Sequence, residues 1–356
     1  MKIKHIDVVD FAPFYSGGGY VMSTGRDIQL HNRLIRLHTD DGAFGIGEIA
    51  HPPVYDPAVL AAMEDTLVPE LDGIELGDLP ALLTKWRGGE KALQGFVFGV
   101  ELAMLDLMGR ILGVPVSALL GGAVSRDVPE YLSLSCESPG DMAETVRRKG
   151  QGFVTIQAKL GDGSLELDLN RVRSVLSVMR ADQQLLADFN GALAAEDAIR
   201  ALPDLTDARV IWEEPCAEYD DNVRVARAIS APVMFDQCLK DLNTYARALK
   251  DGAAAAMVIK SDSIGGLSVG RTVRDMCSAA GIKTRIDGWW SGQLAGAGAL
   301  HLAMGTANDG LIASIDLTDP LDTGREMIVK PAHGRVAPAA GPGLGMLPAS
   351  ALALFD

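Results

Sequence analysis

Short apolar runs that end on a charged residue set the rhythm of this chain. Phe153-Val154-Thr155-Ile156 leads to Lys159, Leu185-Leu186-Ala187 to Asp188, Val210-Ile211-Trp212 to Glu213, and Met257-Val258-Ile259 to Lys260. Asp236, Asp287 and Asp316 continue the series, and the seven polar positions stand 23 to 29 residues apart. That interval holds one strand and one returning helix. Ala194–Leu202 and Asn222–Ile229 read as two of the outer helices. The pattern therefore predicts a parallel α/β barrel beginning near Val128–Leu134, with the C-terminal ends of its strands on one rim, where such folds place their chemistry.

The first hundred or so residues have a different grain. Ile3–Phe11 and Leu34–Leu37 read as strands, the second ending in the turn sequence Asp40-Asp41-Gly42, and Ile46-Gly47-Glu48 resumes as a third. A three-stranded meander is expected. Gln94–Leu112 follows, with Phe98, Leu102, Leu105, Met108 and Leu112 on a broad helical face, Gly113 as its stop and Pro115 beyond. Between the first two strands, Phe14-Tyr15-Ser16-Gly17-Gly18-Gly19-Tyr20 is too glycine-rich for regular structure. It reads either as a surface loop or as a lid over the barrel mouth, with Tyr20 as a candidate substrate contact. After Asp316 the chain is expected to cross back to the first unit, leaving the Gly- and Pro-rich stretch Pro331–Pro348 as irregular covering.

A length of 356 residues suits one barrel of about 250 residues plus a smaller unit. We expect an α+β cap over residues 1–125, completed by 325–356, and a barrel over 126–324. The net charge of −15 argues against nucleic acid or an anionic membrane as partner, since both attract basic surfaces. It leaves an anionic substrate open, because a bound divalent cation reverses the local field. No run of some 18 apolar residues occurs, and the start Met1-Lys2-Ile3-Lys4-His5 is unlike a signal peptide, so a cytoplasmic protein is expected. Cys136, Cys216, Cys238 and Cys277 lack CxxC spacing and read as reduced structural thiols, Cys216 and Cys238 standing just past two acid-bearing strand ends.

Asp188, Glu213 and Asp236 end three successive strands. Three carboxylates without histidine or cysteine suit an octahedral oxygen site for Mg²⁺ or Mn²⁺ rather than zinc. Asn190, two residues after Asp188, is placed to support it. Lys159 and Lys260 flank the acids in strand order. They read either as ion partners of the carboxylates or as two opposed bases, a role that requires their pKa to be lowered by desolvation or nearby positive charge.

The run Lys260-Ser261-Asp262-Ser263-Ile264-Gly265-Gly266, with Asp188-Phe189-Asn190, Glu213-Glu214-Pro215 and Phe235-Asp236-Gln237, resembles the enolase superfamily and, within it, the muconate lactonizing enzyme subgroup of the mandelate racemase/muconate lactonizing enzyme family. Gly45-Ile46-Gly47-Glu48 and Leu112-Gly113-Val114-Pro115 through Leu119-Leu120-Gly121-Gly122 are similar to that family's capping-domain signatures. The resemblance spans nearly the whole chain. It implies a modified (β/α)7β barrel with an α+β cap, a Mg²⁺ ion on Asp188, Glu213 and Asp236, and lysine bases at 159 and 260. It also implies abstraction of a proton beside a carboxylate through a metal-stabilised enediolate, a small-molecule carboxylate substrate and a homo-oligomer. The register from Trp212 and the family pattern both choose Glu213 over Glu214, since neighbouring strand residues face opposite ways.

Departures bear on the substrate. The subgroup carries Lys-x-Lys on its second barrel strand, whereas this chain has Gln157-Ala158-Lys159. The stretch Arg285–Gln293 around the end of the seventh strand, which includes Asp287-Gly288-Trp289-Trp290, holds no histidine, and Asp316-Leu317-Thr318 keeps only the first acid of the dipeptide epimerases' Asp-x-Asp. Trp289 and Trp290 read as packing residues or as an aromatic wall for an ammonium group opposite Asp287. The expected activity is racemisation or epimerisation of an amino-acid, proline or betaine derivative. Dehydration of a 3-hydroxyproline-like substrate is the rival, cycloisomerisation comes third, and a barrel that binds a metal or metabolite without turnover is the reading outside enzymology.

Overall fold

The computed structural model describes all residues except 13, 16–18, 28, 51–56, 90–92, 289–291, 317–320, 323–328, 333, 346, 348–351 and 356. Eight parallel strands form one sheet in consecutive order: Tyr131–Leu134, Thr155–Lys159, Gln184–Asp188, Val210–Glu213, Val233–Phe235, Ala256–Lys260, Lys283–Asp287 and Leu311–Ser314. An α-helix lies between each strand and the next, from Pro139–Lys149 after the first to Gln293–Ala303 before the eighth. This is the (β/α)7β order, in a nearly closed barrel. Leu186, Ile211, Met234, Val258 and Ile312 form an apolar cluster separate from the main core. Side chains two residues further along the third, fourth and sixth of these strands, at Asp188, Glu213 and Lys260, share their facing because strand side chains alternate.

Ile3–Phe11, Asn32–Thr39 and Phe44–Ile49 form the expected antiparallel meander. The helix Gln94–Leu112 packs on its last strand with unusual closeness. A Cβ at Gly45 would overlap the Ala103 carbonyl and one at Gly47 the Gly99 carbonyl, so the strand meets the helix backbone to backbone. Gly113 ends the helix at φ 69°, the left-handed conformation that glycine adopts without a Cβ clash.

Three expectations are corrected. Val128–Pro129 is not part of the barrel; it pairs with Arg335–Pro338, and the first barrel strand starts at Tyr131. Pro331–Pro348 is not wholly irregular, because Val329–Ala332 and Arg335–Pro338 form an antiparallel hairpin. The hairpin turns at Gly334, whose positive φ of 76° suits glycine there. The glycine-rich segment also contributes regular structure at its ends: Phe14–Tyr15 pairs with Leu321–Asp322, and Tyr20–Met22 pairs with Gly25–Asp27. The chain's end does return to the first unit. Leu344 N donates to Asp106 Oδ1 at 2.8 Å, and the Gly343 carbonyl accepts from Val116 N at 2.8 Å. No helix among the described residues is long and apolar enough to cross a membrane.

Candidate active site

Register carries the site. Lys159 lies level with Asp188, Asp188 with Glu213, and Lys260 with Asp287 across neighbouring strands. Asp188, Glu213 and Asp236 are all buried and offer oxygens within 4.8 Å of one another. The donor set is all oxygen, and Asp236 Oδ1 is buried with no hydrogen-bond partner among the described residues. An unpartnered buried acceptor beside two further carboxylates fits a divalent metal site.

Cations surround this trio. Lys159 Nζ donates to Asp188 Oδ2 at 2.6 Å, and Lys260 Nζ to Asp236 Oδ2 at 2.7 Å. Arg285, two residues before Asp287 and on the same strand face, makes a two-pronged contact with Glu213 at 2.8 and 2.7 Å. Burial raises Glu213 to about 7, with Arg285 opposing and Asp188 and Asp236 adding to the rise. Burial acts the same way on Asp236, but Lys260 and Arg285 outweigh it and hold that carboxyl below its ordinary value. Burial pulls the Lys159 ammonium down, whereas Asp188 and Glu213 pull harder and raise it above the usual lysine value. Positive charge placed among the carboxylates acts in the opposite sense.

The amide of Gln157 joins the acids to the first strand. Its Nε2 donates to Asp188 at 3.1 Å and Glu213 at 2.9 Å, while its Oε1 accepts from Ser133 Oγ at 3.1 Å. Ser133 in turn is hydrogen-bonded to Tyr20, which reaches in from the cap. Asn190 adopts φ 46°, and its backbone N–H and side-chain amide both meet Asp188, at 2.8 and 3.2 Å. Glu214, at φ 39°, is not one of the trio; it accepts from Asp236 N at 2.6 Å and Cys238 N at 2.7 Å, and burial and the nearby Asp236 raise it to about 8. All four cysteines are buried free thiols.

Asp287 is anchored on the same rim. It accepts from the Tyr131 hydroxyl at 2.7 Å and from Gly288 N at 2.9 Å, with Arg285 Nε 3.4 Å away. Trp289 and Trp290 lie outside the described residues. Arg285, Tyr131 and Ser133 are the members that sequence reasoning passed over. Arg285 alone carried a usable signal, since the i, i+2 rule places it on the Asp287 face.

Comparison with known proteins agrees with this geometry. Residues 141–351 match the enolase C-terminal domain-like family model, and residues 19–121 match the mandelate racemase/muconate lactonizing enzyme N-terminal domain. The fold and site thus define an enzyme of the enolase superfamily. This chain belongs to its mandelate racemase/muconate lactonizing enzyme family. It is 28% identical, over 98% of its length and 96% of the relative's, to cis-3-hydroxy-L-proline dehydratase of Roseibium aggregatum. It is 26% identical to N-succinyl-L-Arg/Lys racemase of Bacillus cereus, over 85% of this chain and 83% of that one. A solved enolase-superfamily member from Roseovarius nubinhibens ISM, complexed with magnesium, superposes with a TM-score of 0.86 at 26% identity, covering 98% of this chain and 96% of that one. Other relatives include cycloisomerases and epimerases, so the family spans isomerase and lyase chemistry.

Proposed function

We propose that this enzyme removes the α-proton of a small amino-acid-like carboxylate and returns it on the opposite face, as a racemase or epimerase. The observation that carries the reading is the placement of two lysines on barrel strands two and six, each within 2.7 Å of an acid of the trio that lies between them. Asp188, Glu213 and Asp236 would hold Mg²⁺ or Mn²⁺, which when bound supplies positive charge opposite the carboxylate oxygens that gain charge as the proton leaves. Lys159 and Lys260 act as the two proton carriers: one takes the α-proton while the other, as ammonium, delivers a proton to the opposite face. Gln157, Asn190 and Arg285 fix the carboxylates. Asp287 would offer an opposite charge to a substrate's positive nitrogen, which would favour amino acids, prolines and betaines over neutral hydroxy acids.

A second reading has its own support in the dehydratase relative from Roseibium aggregatum. There the same removal of the α-proton would be followed by breakage of the β C–O bond, the hydroxide leaving as water once protonated. One screen separates the two. Amino acids, N-substituted amino acids, prolines, 3-hydroxyprolines and betaines are incubated with enzyme and Mg²⁺ in D₂O and followed by NMR and polarimetry. Deuterium at the α-carbon with loss of optical rotation and no loss of water supports racemisation. Water loss from the hydroxylated substrates alone would replace it with dehydration. Absence of both α-exchange and water loss across the whole panel would sink both.

A further inference from the structure

Several barrel helices supply their own N-terminal caps. Ser138, Ser164 and Asp241 each accept from a backbone N–H in the first turn of the helix they precede. The helices after strands six and seven, Leu267–Ala280 and Gln293–Ala303, are preceded by Gly266 and Gly292, which have no side chain to offer. Both receive a carboxylate from the cap instead. Glu101, buried in the helix Gln94–Leu112, accepts from Ser268 N at 3.2 Å and Ser268 Oγ at 2.5 Å. Glu48, fully buried on the strand Phe44–Ile49, accepts from Gly292 N at 2.5 Å and Ala295 N at 3.1 Å, with Asn32 holding it at 2.7 Å.

The glycines are shaped to these carboxylates. A Cβ at Gly266 would overlap Glu101 Oε2, one at Gly265 would overlap Gln94 Oε1, and one at Gly292 would crowd Glu48 Oε1. Arg87, also from the cap, completes the first contact. It pairs with Glu101 at 2.5 Å and donates through Nε to the Gly265 carbonyl at 2.6 Å. The two clamped helix starts follow closely in sequence on Lys260 and on Asp287. The strand alternation that turns Gly45 and Gly47 toward the cap helix turns Glu48 toward the barrel.

We infer that Glu101 and Glu48 are positioning residues that cap two barrel helices from the other unit, so that the cap's seat on the barrel sets where Lys260 and Asp287 stand. The two clamps act on different steps. Glu101 governs proton exchange at the Lys260 face; Glu48 governs substrate affinity through the Asp287 side. Only the assignment of those steps rests on the proposed two-lysine chemistry.

Amide hydrogen exchange on the full-length protein tests the clamps without reference to activity. Glu101→Gln keeps the shape and loses the charge; it is expected to speed exchange roughly 5- to 30-fold in the first turn of Leu267–Ala280 and leave Gln293–Ala303 unchanged. Glu48→Gln is expected to do the reverse. If Glu101→Gln fails to fold, Ser268→Ala carries the same comparison. Unchanged protection at either helix start, or loss of protection in both helices from either variant, overturns the inference. In the activity arm, Glu101→Gln should slow α-exchange roughly tenfold for the enantiomer served by Lys260, on the scale of such supporting contacts, and spare the other. Glu48→Gln should raise KM and spare kcat. Equal loss for both enantiomers overturns the positioning role of Glu101. A wild-type enzyme that exchanges no substrate of the panel sinks the proposed chemistry instead, and the hydrogen-exchange result then decides the clamps alone.

Discussion

At the scale of single residues, the departure at position 157 is the informative one. A lysine there could only donate, whereas the Gln157 amide donates to Asp188 and Glu213 and accepts from Ser133. It thereby keeps two like-charged carboxylates apart while tying them to the first strand. Replacing it with Leu removes all three hydrogen bonds, and Mn²⁺ affinity should drop by roughly 10- to 100-fold, read by titration calorimetry. An unchanged dissociation constant would show that the amide only fills space. Arg285 bears on stability as well. Its removal in Arg285→Met leaves Glu213 buried beside two other acids, a loss of about 3 to 5 kcal/mol in urea unfolding, part of which added Mn²⁺ should restore. If the variant unfolds at the wild-type midpoint in metal-free buffer, the pair is not holding the trio together. The acids and lysines were legible in sequence because strand ends recur with a fixed period. Arg285 was not singled out, because its partner is three strands and 72 residues away, a pairing that only barrel closure creates.

Among elements, the contact between Phe44–Ile49 and Gln94–Leu112 shows what pattern reading could and could not supply. The turn sequence Asp40-Asp41-Gly42 and helical spacing foretold the strand and the helix, the latter with the boundaries observed. Their closeness was not foretold, since it depends on glycines in two separate segments meeting: Gly45 and Gly47 on the strand, Gly99 on the helix. The glycines after strands six and seven were equally opaque. Gly265-Gly266 read as part of a motif, while their physical reason, room for Gln94 and Glu101, lies in another unit. Gly47→Ala would drive a methyl into the Gly99 carbonyl, and backbone on both sides leaves no flexible side chain to yield. The expected cost is at the upper end of overpacking, about 3 kcal/mol in urea unfolding. Because Glu48 sits on the same strand, activity should fall alongside it; a variant as stable as wild type would mean that strand and helix can separate without consequence.

For the whole molecule, the chain's three regions converge on His301, which nothing in the sequence marked out from the other histidines. It lies in the last turn of Gln293–Ala303, 2% exposed, with Nδ1 accepting from Ser117 N at 3.3 Å, the Leu344 backbone near the ring, and Nε2 without a hydrogen-bond partner among the described residues. Barrel, linker and C-terminal segment therefore close over a neutral imidazole. Burial lowers its pKa to about 4, the Leu344 carbonyl opposing slightly. In the unfolded chain the same group takes its proton near 6.5. Between these values the unfolded state binds one more proton than the folded one, so this histidine's effect is to lower stability as pH falls from about 6.5 to about 4. The loss stops once both states are protonated, and amounts to about 3 kcal/mol. Buried carboxylates such as Glu214, raised to about 8, act in the opposite direction over part of this range. The measurement is therefore a difference. Urea unfolding of wild type and His301→Gln across pH 4 to 7 should show the wild type losing stability relative to the variant as the solution is acidified, by about 3 kcal/mol in all. Parallel stability curves would mean that His301 is protonated within the fold, and that the junction of the three regions admits a charge.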